Sequence, residues 1–264
     1  MGGVHSIEDV PGSIADSVSG YHWTKITIGA SSARTYRLRR TGSPTVYLKI
    51  DSAKPKRELD QERRVLEWLA GKLPVPRVLK FDHDEQTDFL LLSEVPGTNA
   101  AELVGHLDKP QIVVLLSNGL KMVHGLSTEG CPFERSLDSV IQEADFNVKN
   151  GLVREDDFDQ ERKGKTANNL FRDLLESRPS DEDLVFTHGD YCLPNVIINA
   201  NEVTGFVDLH RAGVGDRYRD VALAVRSIKS NLGDGYDRLF FEAYGLPEVD
   251  QRKIEYYQLI DEFF

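Results

Sequence analysis

Cysteine is scarce in this chain. Cys131 and Cys192 are the two among 264 residues, and they stand in unrelated contexts. That excludes a disulfide framework and a C-x-x-C metal site. No uninterrupted apolar run approaches the roughly 18 residues that read as a membrane-crossing helix. The amino terminus, MGGVHSIEDVPGS, lacks a basic stretch followed by an apolar core, so no secretory signal is expected. Its first six residues do fit the N-myristoylation pattern, which is short enough to arise by chance. Basic residues are outnumbered, 32 Lys and Arg against 43 Asp and Glu, for a formal net charge of −11. An acidic surface argues against nucleic acid or an anionic membrane as partner and suits a cationic ligand. A reducing cytoplasm is the expected compartment. The motifs G-x-G-x-x-G, H-E-x-x-H and G-x-S-x-G are also missing, which removes the footing for a zinc protease or an α/β-hydrolase.

What is present is ordinary globular material, 40% hydrophobic and 28% charged, enough for one large domain or two lobes. The first third reads as strands: KITIG (25–29), RTYRLRR (34–40) and TVYLKI (45–50) alternate and carry β-branched residues. KRELDQERRVLEWLAGK then places Leu59, Val65, Leu66 and Leu69 at helical spacing and closes on Gly71. LPVPRVLKF and DFLLLSEVPG read as two further strands, the second ending in a Pro-Gly turn. Beyond it helices are expected near 110–126, 136–149, 167–178, 217–230, 234–244 and 250–263. The expected fold class is α+β: a small sheet-rich lobe with one helix over 1–95, then a larger, mainly helical lobe over 96–264.

Between the third and fourth of those helices lies DLVFTHGDYCLPNVIINANEVTGFVD. It reads as a strand (184–187), a polar loop (188–195), a second strand (196–199), the turn NANE and a third strand. Such a hairpin brings Asn195 to the start of one strand and Asp208 to the end of its neighbour, where an amide oxygen and a carboxylate can converge on Mg²⁺. With His188 and Asp190, the spacing H-x-D-x4-N matches the catalytic loop of phosphoryl-transfer enzymes of the kinase type. A polar loop with Asx turns and a buried, satisfied histidine is the plainer alternative. A kinase also needs a strand lysine paired to a helix glutamate. Lys49 in VYLKI fits, with Glu58 and Glu62 one turn apart as candidate partners; an edge lysine is the alternative. In place of a glycine-rich loop stands IGASSARTY, where backbone amides and Ser31 or Ser32 would have to meet the phosphates. Gly164-Lys165-Thr166 copies the tail of a P-loop, but position 159 is Asp and no strand leads in, so it reads as a loop before a helix.

The chain resembles the aminoglycoside 3′-phosphotransferases, the kanamycin and neomycin kinases. The resemblance runs from GYHWTKITIGAS to the last residue, through YLK, WLAGKLPVP, LLLSEVPG, HGLSTEGCPF, NGLVREDDFD, LVFTHGDYCLPN, GFVDLHRAGVGDRYRDVALAVRSI and LIDEFF. It implies a protein-kinase-like bilobal fold, MgATP as donor with GTP as the alternative, and a deoxystreptamine aminoglycoside as acceptor. Carried over by motif, Lys49 would contact the α- and β-phosphates with Glu62 rather than Glu58 as partner. The Ser93 carbonyl and Val95 amide would meet the adenine, with Tyr47 near the ring. Asn195 and Asp208 would ligate Mg²⁺, and Asp190, with His188 in the same loop, would orient the 3′-hydroxyl.

REDDFDQE (154–161) and the terminal LIDEFF supply carboxylates for a polycationic acceptor. By the resemblance Asp157, Asp159, Asp261, Glu262 and the terminal carboxylate of Phe264 face it, braced by Arg211 and Arg226; ordinary ion pairs and a solvated helix flank are the alternatives. Two positions depart from the family pattern. Gln160 stands where relatives commonly carry Glu, and His210 stands where they usually carry Gly, which permits φ > 0. Other readings are a kinase with a choline, homoserine or macrolide acceptor, a non-catalytic kinase-like binding protein, and a metal-dependent hydrolase on His188, Asp190 and Asp208. The chain is expected to act as a monomer, with a dimer as the alternative.

Overall fold

The computed structural model of the chain describes residues 10–27, 33–52 and 56–264. In order, the elements are α1 (Gly12–Ser17), β1 (His22–Lys25), β2 (Arg34–Arg39), β3 (Val46–Ser52), α2 (Glu58–Leu69), β4 (Val78–His83), β5 (Thr87–Ser93) and β6 (Thr98–Asn99). There follow α3 (Lys109–His124), α4 (Leu137–Lys149), α5 (Ala167–Glu176), β7 (Leu184–Thr187), β8 (Val196–Asn199), β9 (Glu202–Phe206), β10 (Gly213–Asp216), α6 (Tyr218–Leu232), α7 (Asp237–Tyr244) and α8 (Gln251–Asp261). No helix among the described residues is long and apolar enough to cross a membrane.

Two compact units result. The first takes the described residues up to Thr98 together with Ile197–Arg211; the second takes Asn99–Val196 and Ala212–Phe264. The first unit's leading segment thus runs three residues past the expected lobe boundary at 95/96, and the segment that carries Asp208 belongs to the first unit. Close backbone packing explains that grouping. A Cβ at Gly205 would come within 2.6 Å of the Pro74 carbonyl and of Val95 Cγ1, and one at Gly97 within 2.6 Å of the Ile198 carbonyl. Only glycine lets the chain pass so close. The Phe206 amide also donates to the Pro74 carbonyl at 3.0 Å.

In the first unit, five antiparallel strands run in the order β1-β2-β3-β5-β4. Alternation divides the sheet. Tyr36, Leu38, Val46, Leu48, Ile50, Phe89 and Leu91 bury one face against Ile14 and Val18. The opposite side chains of β3, Tyr47 and Lys49, share the other face. There α2 packs with Leu59, Val65, Leu66 and Leu69 buried. One helix was expected in this unit, and α1 is a second. Six residues are too few to display a period, and Ile14 is the residue that α1 buries.

In the second unit, α3 packs along α7 and α6 along α8. Phe186, Tyr191, Phe240 and Phe263 are fully buried there. The partner of β7 is β10, with Val185 opposite Gly215, a strand that the sequence GVGD does not announce. The Gly164–Thr166 stretch is a loop, as expected: Thr166 caps α5 by accepting the Asn169 amide.

Candidate active site

Lys49 lies at the centre of the first unit's sheet, on β3 between β2 and β5, so the edge-lysine alternative does not hold. It is 8% exposed. Its ammonium donates to both carboxylate oxygens of Glu62, at 2.7 and 2.8 Å, and to Asp208. Burial opposes the lysine charge, but Asp208 and Glu62 outweigh it and raise the lysine pKa. Burial likewise pushes the Glu62 carboxyl up, against the pull of Lys49. Of the two candidate glutamates Glu62 is the partner, while Glu58 lies 4.0 Å from His210.

The β8–β9 hairpin that delivers Asp208 turns through Ala200 and Asn201, both at positive φ (49° and 64°), the backbone of a two-residue hairpin turn. Asp208 itself is left-handed, with φ 61°. Among the described residues His210 is not at positive φ, so no glycine is needed there for backbone freedom.

Ser93 ends β5 with its amide on the Arg77 carbonyl and its hydroxyl on the Arg77 amide, both at 2.9 Å. That fixes the backbone leading to Val95, whose side chain rests on Gly205. Tyr47 is half-buried, and burial, then Glu94, raise its hydroxyl pKa. Ser31 and Ser32 lie outside the described residues.

In the second unit, the loop after β7 is tied down at several points. Asp220, fully buried on α6, accepts the His188 amide at 2.6 Å and the Gly189 amide at 2.8 Å. Burial works against its charge, yet the hydrogen bond from His124 and the nearby imidazoles bring it below the usual carboxylate range. The Leu193 amide donates to Ser227 Oγ at 3.0 Å, and the Tyr191 hydroxyl donates to the Leu116 carbonyl at 2.7 Å. Asp190, half-buried, emerges from this frame. Asn195 Nδ2 donates to its backbone carbonyl and to its Oδ2, both at 2.9 Å. His188 was expected among the catalytic residues. It is fully buried, and its Nδ1 accepts the Asp190 amide at 3.3 Å.

The acidic residues of the second unit sort into two groups. Asp159, Asp261 and Glu262 converge on two arginines. Arg162 pairs with Asp159 and, at 3.3 Å, with Glu262; Arg226 pairs with Asp261 and lies 3.9 Å from Glu262. Burial, reinforced by Asp159, pushes the Glu262 carboxyl up to about 7. Asn147 Nδ2 holds the Phe263 carbonyl at 2.7 Å, and Phe263 packs edge-on against Phe171, so the chain's last turn is docked and Phe264 is half-buried. Asp157 is not in this cluster: it is exposed and pairs with Arg154 at 2.9 Å. Arg211 belongs to the first unit, and Gln160 is exposed.

Four contributors escaped the sequence reading: Asp220, His124, Arg162 and Asn147. Arg162, three residues after Asp159, carried a usable signal in its i,i+3 spacing. The others act across 30 to more than 100 residues of chain and had none.

A lysine paired to a glutamate and an aspartate in the first unit, and an aspartate held by an asparagine in the second, are each residue types that phosphoryl transfer uses. Comparison with known proteins agrees. Residues 22–257 match the family model described as "Phosphotransferase enzyme family". An aminoglycoside 3′-phosphotransferase of Niallia circulans is 40% identical over 90% of this chain and 90% of its own length. Among solved structures, an aminoglycoside-3′-phosphotransferase of type VIII superposes with a TM-score of 0.85 at 34% identity, covering 96% of this chain and 97% of that one. The aminoglycoside phosphotransferase APH(3″)-Id of Streptomyces rimosus, solved in complex with ADP and streptomycin, gives 0.79 at 25% identity over 95% of each chain.

Proposed function

The chain belongs to the aminoglycoside 3′-phosphotransferase family, and on that premise we propose that it transfers the γ-phosphoryl group of MgATP to the 3′-hydroxyl of kanamycin- and neomycin-type antibiotics, which confers resistance to them. The observation that carries this reading is Lys49, a buried ammonium bound by Glu62 and Asp208 on the sheet face that also bears Tyr47. A cation held there by fixed carboxylates has one evident use, the neutralisation of nucleotide phosphates.

In the reaction the acceptor oxygen forms a bond to the γ-phosphorus as the bond to the β,γ-bridging oxygen breaks, and ADP departs. The hydroxyl proton passes to the Asp190 carboxylate. The transition state is loose, with its charge on the transferred group, so positioning and electrostatic stabilisation carry most of the rate. Asp190 therefore needs direction more than basicity, and Asn195 supplies it. Lys49 would hold the α- and β-phosphates. The Ser93 carbonyl and Val95 amide would take the adenine edge beside Tyr47. ATP is the proposed donor, with GTP as the alternative.

Asn195 and Asp208 suit Mg²⁺ by their chemistry. With Nδ2 of Asn195 committed to Asp190, its amide oxygen is the end left for a cation, and Asp208 adds a carboxylate; both are hard oxygen donors. A bound Mg²⁺ would supply further neutralisation of phosphate charge. Asp159, Asp261, Glu262 and the terminal carboxylate of Phe264 would receive the acceptor's ammonium groups, with Asp157 and Arg211 as outer members and Arg226 as brace. The two cysteines are free thiols, which suits the cytoplasm, where nucleoside triphosphates are found.

The test is mass spectrometry of kanamycin A incubated with MgATP and the protein. The drug is expected to gain one phosphoryl group, and to gain none with Asp190→Ala. Modification by Asp190→Ala at the wild-type rate would refute the assignment.

A further inference from the structure

His124, the last residue of α3, is one step removed from the loop that carries Asp190: its ring binds Asp220, and Asp220 binds the loop. The connections form a line. Arg217 Nη1 lies 3.1 Å from the Tyr244 hydroxyl, that hydroxyl 2.7 Å from His124 Nδ1, and His124 Nε2 3.0 Å from Asp220 Oδ2. A guanidinium can only donate, so the Tyr244 oxygen accepts from Arg217; an ionised carboxylate can only accept, so His124 Nε2 carries the proton that Asp220 receives. Every side chain in it is inside the second unit, and His124 and Tyr244 also meet edge-on, with ring centroids 5.7 Å apart.

The Asp220 end shows what this line is for. Its Oδ1 takes the Gly189 amide, and its Oδ2 takes both the His188 amide and His124. The terminal torsion of an aspartate is broad and roughly two-fold, so two amides from adjacent residues leave the carboxylate plane room to rock. A third donor from another helix fixes that plane. The residues it secures immediately precede Asp190.

We propose that His124 is a positioning residue for phosphoryl transfer: by donating Nε2–H to Asp220 it fixes the carboxylate that pins His188 and Gly189, and so aims Asp190. The inference rests on the functional reading above and adds a residue remote from the reacting atoms.

The experiment compares His124→Phe, His124→Gln and Tyr244→Phe with the wild-type enzyme, measuring kcat, both KM values, and amide hydrogen exchange at His188 and Gly189. Gln keeps a donor at the Nε2 position; Phe removes it. For His124→Phe, kcat is expected to fall on the order of 10- to 100-fold while KM for ATP and for kanamycin A stays within about threefold, since a small misplacement costs rate before it costs binding. Exchange at the two amides should accelerate. Gln should restore both readouts to within about fivefold of wild type on the same argument, and Tyr244→Phe should lie between. An unchanged kcat and exchange in His124→Phe, or a Gln variant no better than Phe, overturns the proposal. Should His124→Phe not fold, the other two variants decide: near-wild-type behaviour in Gln with faster exchange in Tyr244→Phe supports it, and any other result overturns it. A wild-type enzyme inactive on kanamycin A would count against the functional reading, while the exchange measurement would still judge the tether.

Discussion

Asn195 holds Asp190 at two points with one amide nitrogen, donating to its backbone carbonyl and to its carboxylate at 2.9 Å each. The residue proposed as a metal ligand thereby also orients Asp190, the proposed proton acceptor.

Those two roles separate in an Asn195→Ala variant. Loss of a preorganised contact to the reacting group lowers kcat by about 10²–10³. If orientation is the main role, the deficit persists at saturating Mg²⁺, and a titration of kcat against Mg²⁺ checks it. Full recovery of kcat at high Mg²⁺ would leave metal binding as the only role.

Lys49 and Glu62 support each other's burial. Replacing Lys49 by Met leaves the Glu62 carboxylate, 1% exposed, without its nearest counter-ion. Breaking a buried pair in this way costs about 3–5 kcal/mol. Burial already raises the Glu62 pKa and Lys49 opposes that rise, so the variant's carboxyl goes higher still. A raised carboxyl pKa means that the folded state keeps a proton that the unfolded chain has lost. Its stabilising effect is complete below the ordinary carboxyl pKa and disappears as pH climbs through the folded-state value. Urea unfolding should therefore show a small deficit for Lys49→Met in mild acid and a growing one toward neutrality. A deficit independent of pH would contradict the pairing.

Glu262 gives a second pH signature, on the acceptor side. Its carboxyl is pushed from 4.5 to about 7 by burial and by Asp159. Between those values the folded state holds a proton that the unfolded chain does not, so this group's contribution to stability is full below 4.5 and lost as pH rises through about 7. A polycationic drug favours the carboxylate and should drive that proton off. Calorimetry in buffers of different ionisation heat is expected to show more proton release near pH 7 for wild type than for Glu262→Gln. The variant should also bind about tenfold more weakly, the value of one charged hydrogen bond. Equal proton release from the two proteins would remove Glu262 from the site.

Much of the geometry around Lys49 and the β8–β9 hairpin was legible in the sequence because its signals are local. Lys49 stood out as a charge in an apolar alternating strand, and Glu62 lay on the buried stripe of the following helix. The turn NANE joined two runs short enough to be a hairpin, which placed Asn195 and Asp208 at its two ends. Other features were silent for physical reasons. The grouping of Ile197–Arg211 with the first unit depends on Gly97 and Gly205 passing against distant backbone, and composition does not encode which backbone a glycine will meet. Asp220 looked like one more charge at a helix start, and only the fold brings it to His188 and Gly189. Asp157 shares a run of acids with Asp159, and the run alone does not reveal that the short 3₁₀ turn at Glu155–Asp157 leaves it exposed and paired with Arg154.

The central claim is transfer to the 3′-hydroxyl. Its most direct test is steady-state ADP release from MgATP with kanamycin A, alongside tobramycin, which lacks that hydroxyl. The account predicts turnover with kanamycin A and none with tobramycin. Comparable turnover with both drugs, or none with either while ATP still binds, would contradict it.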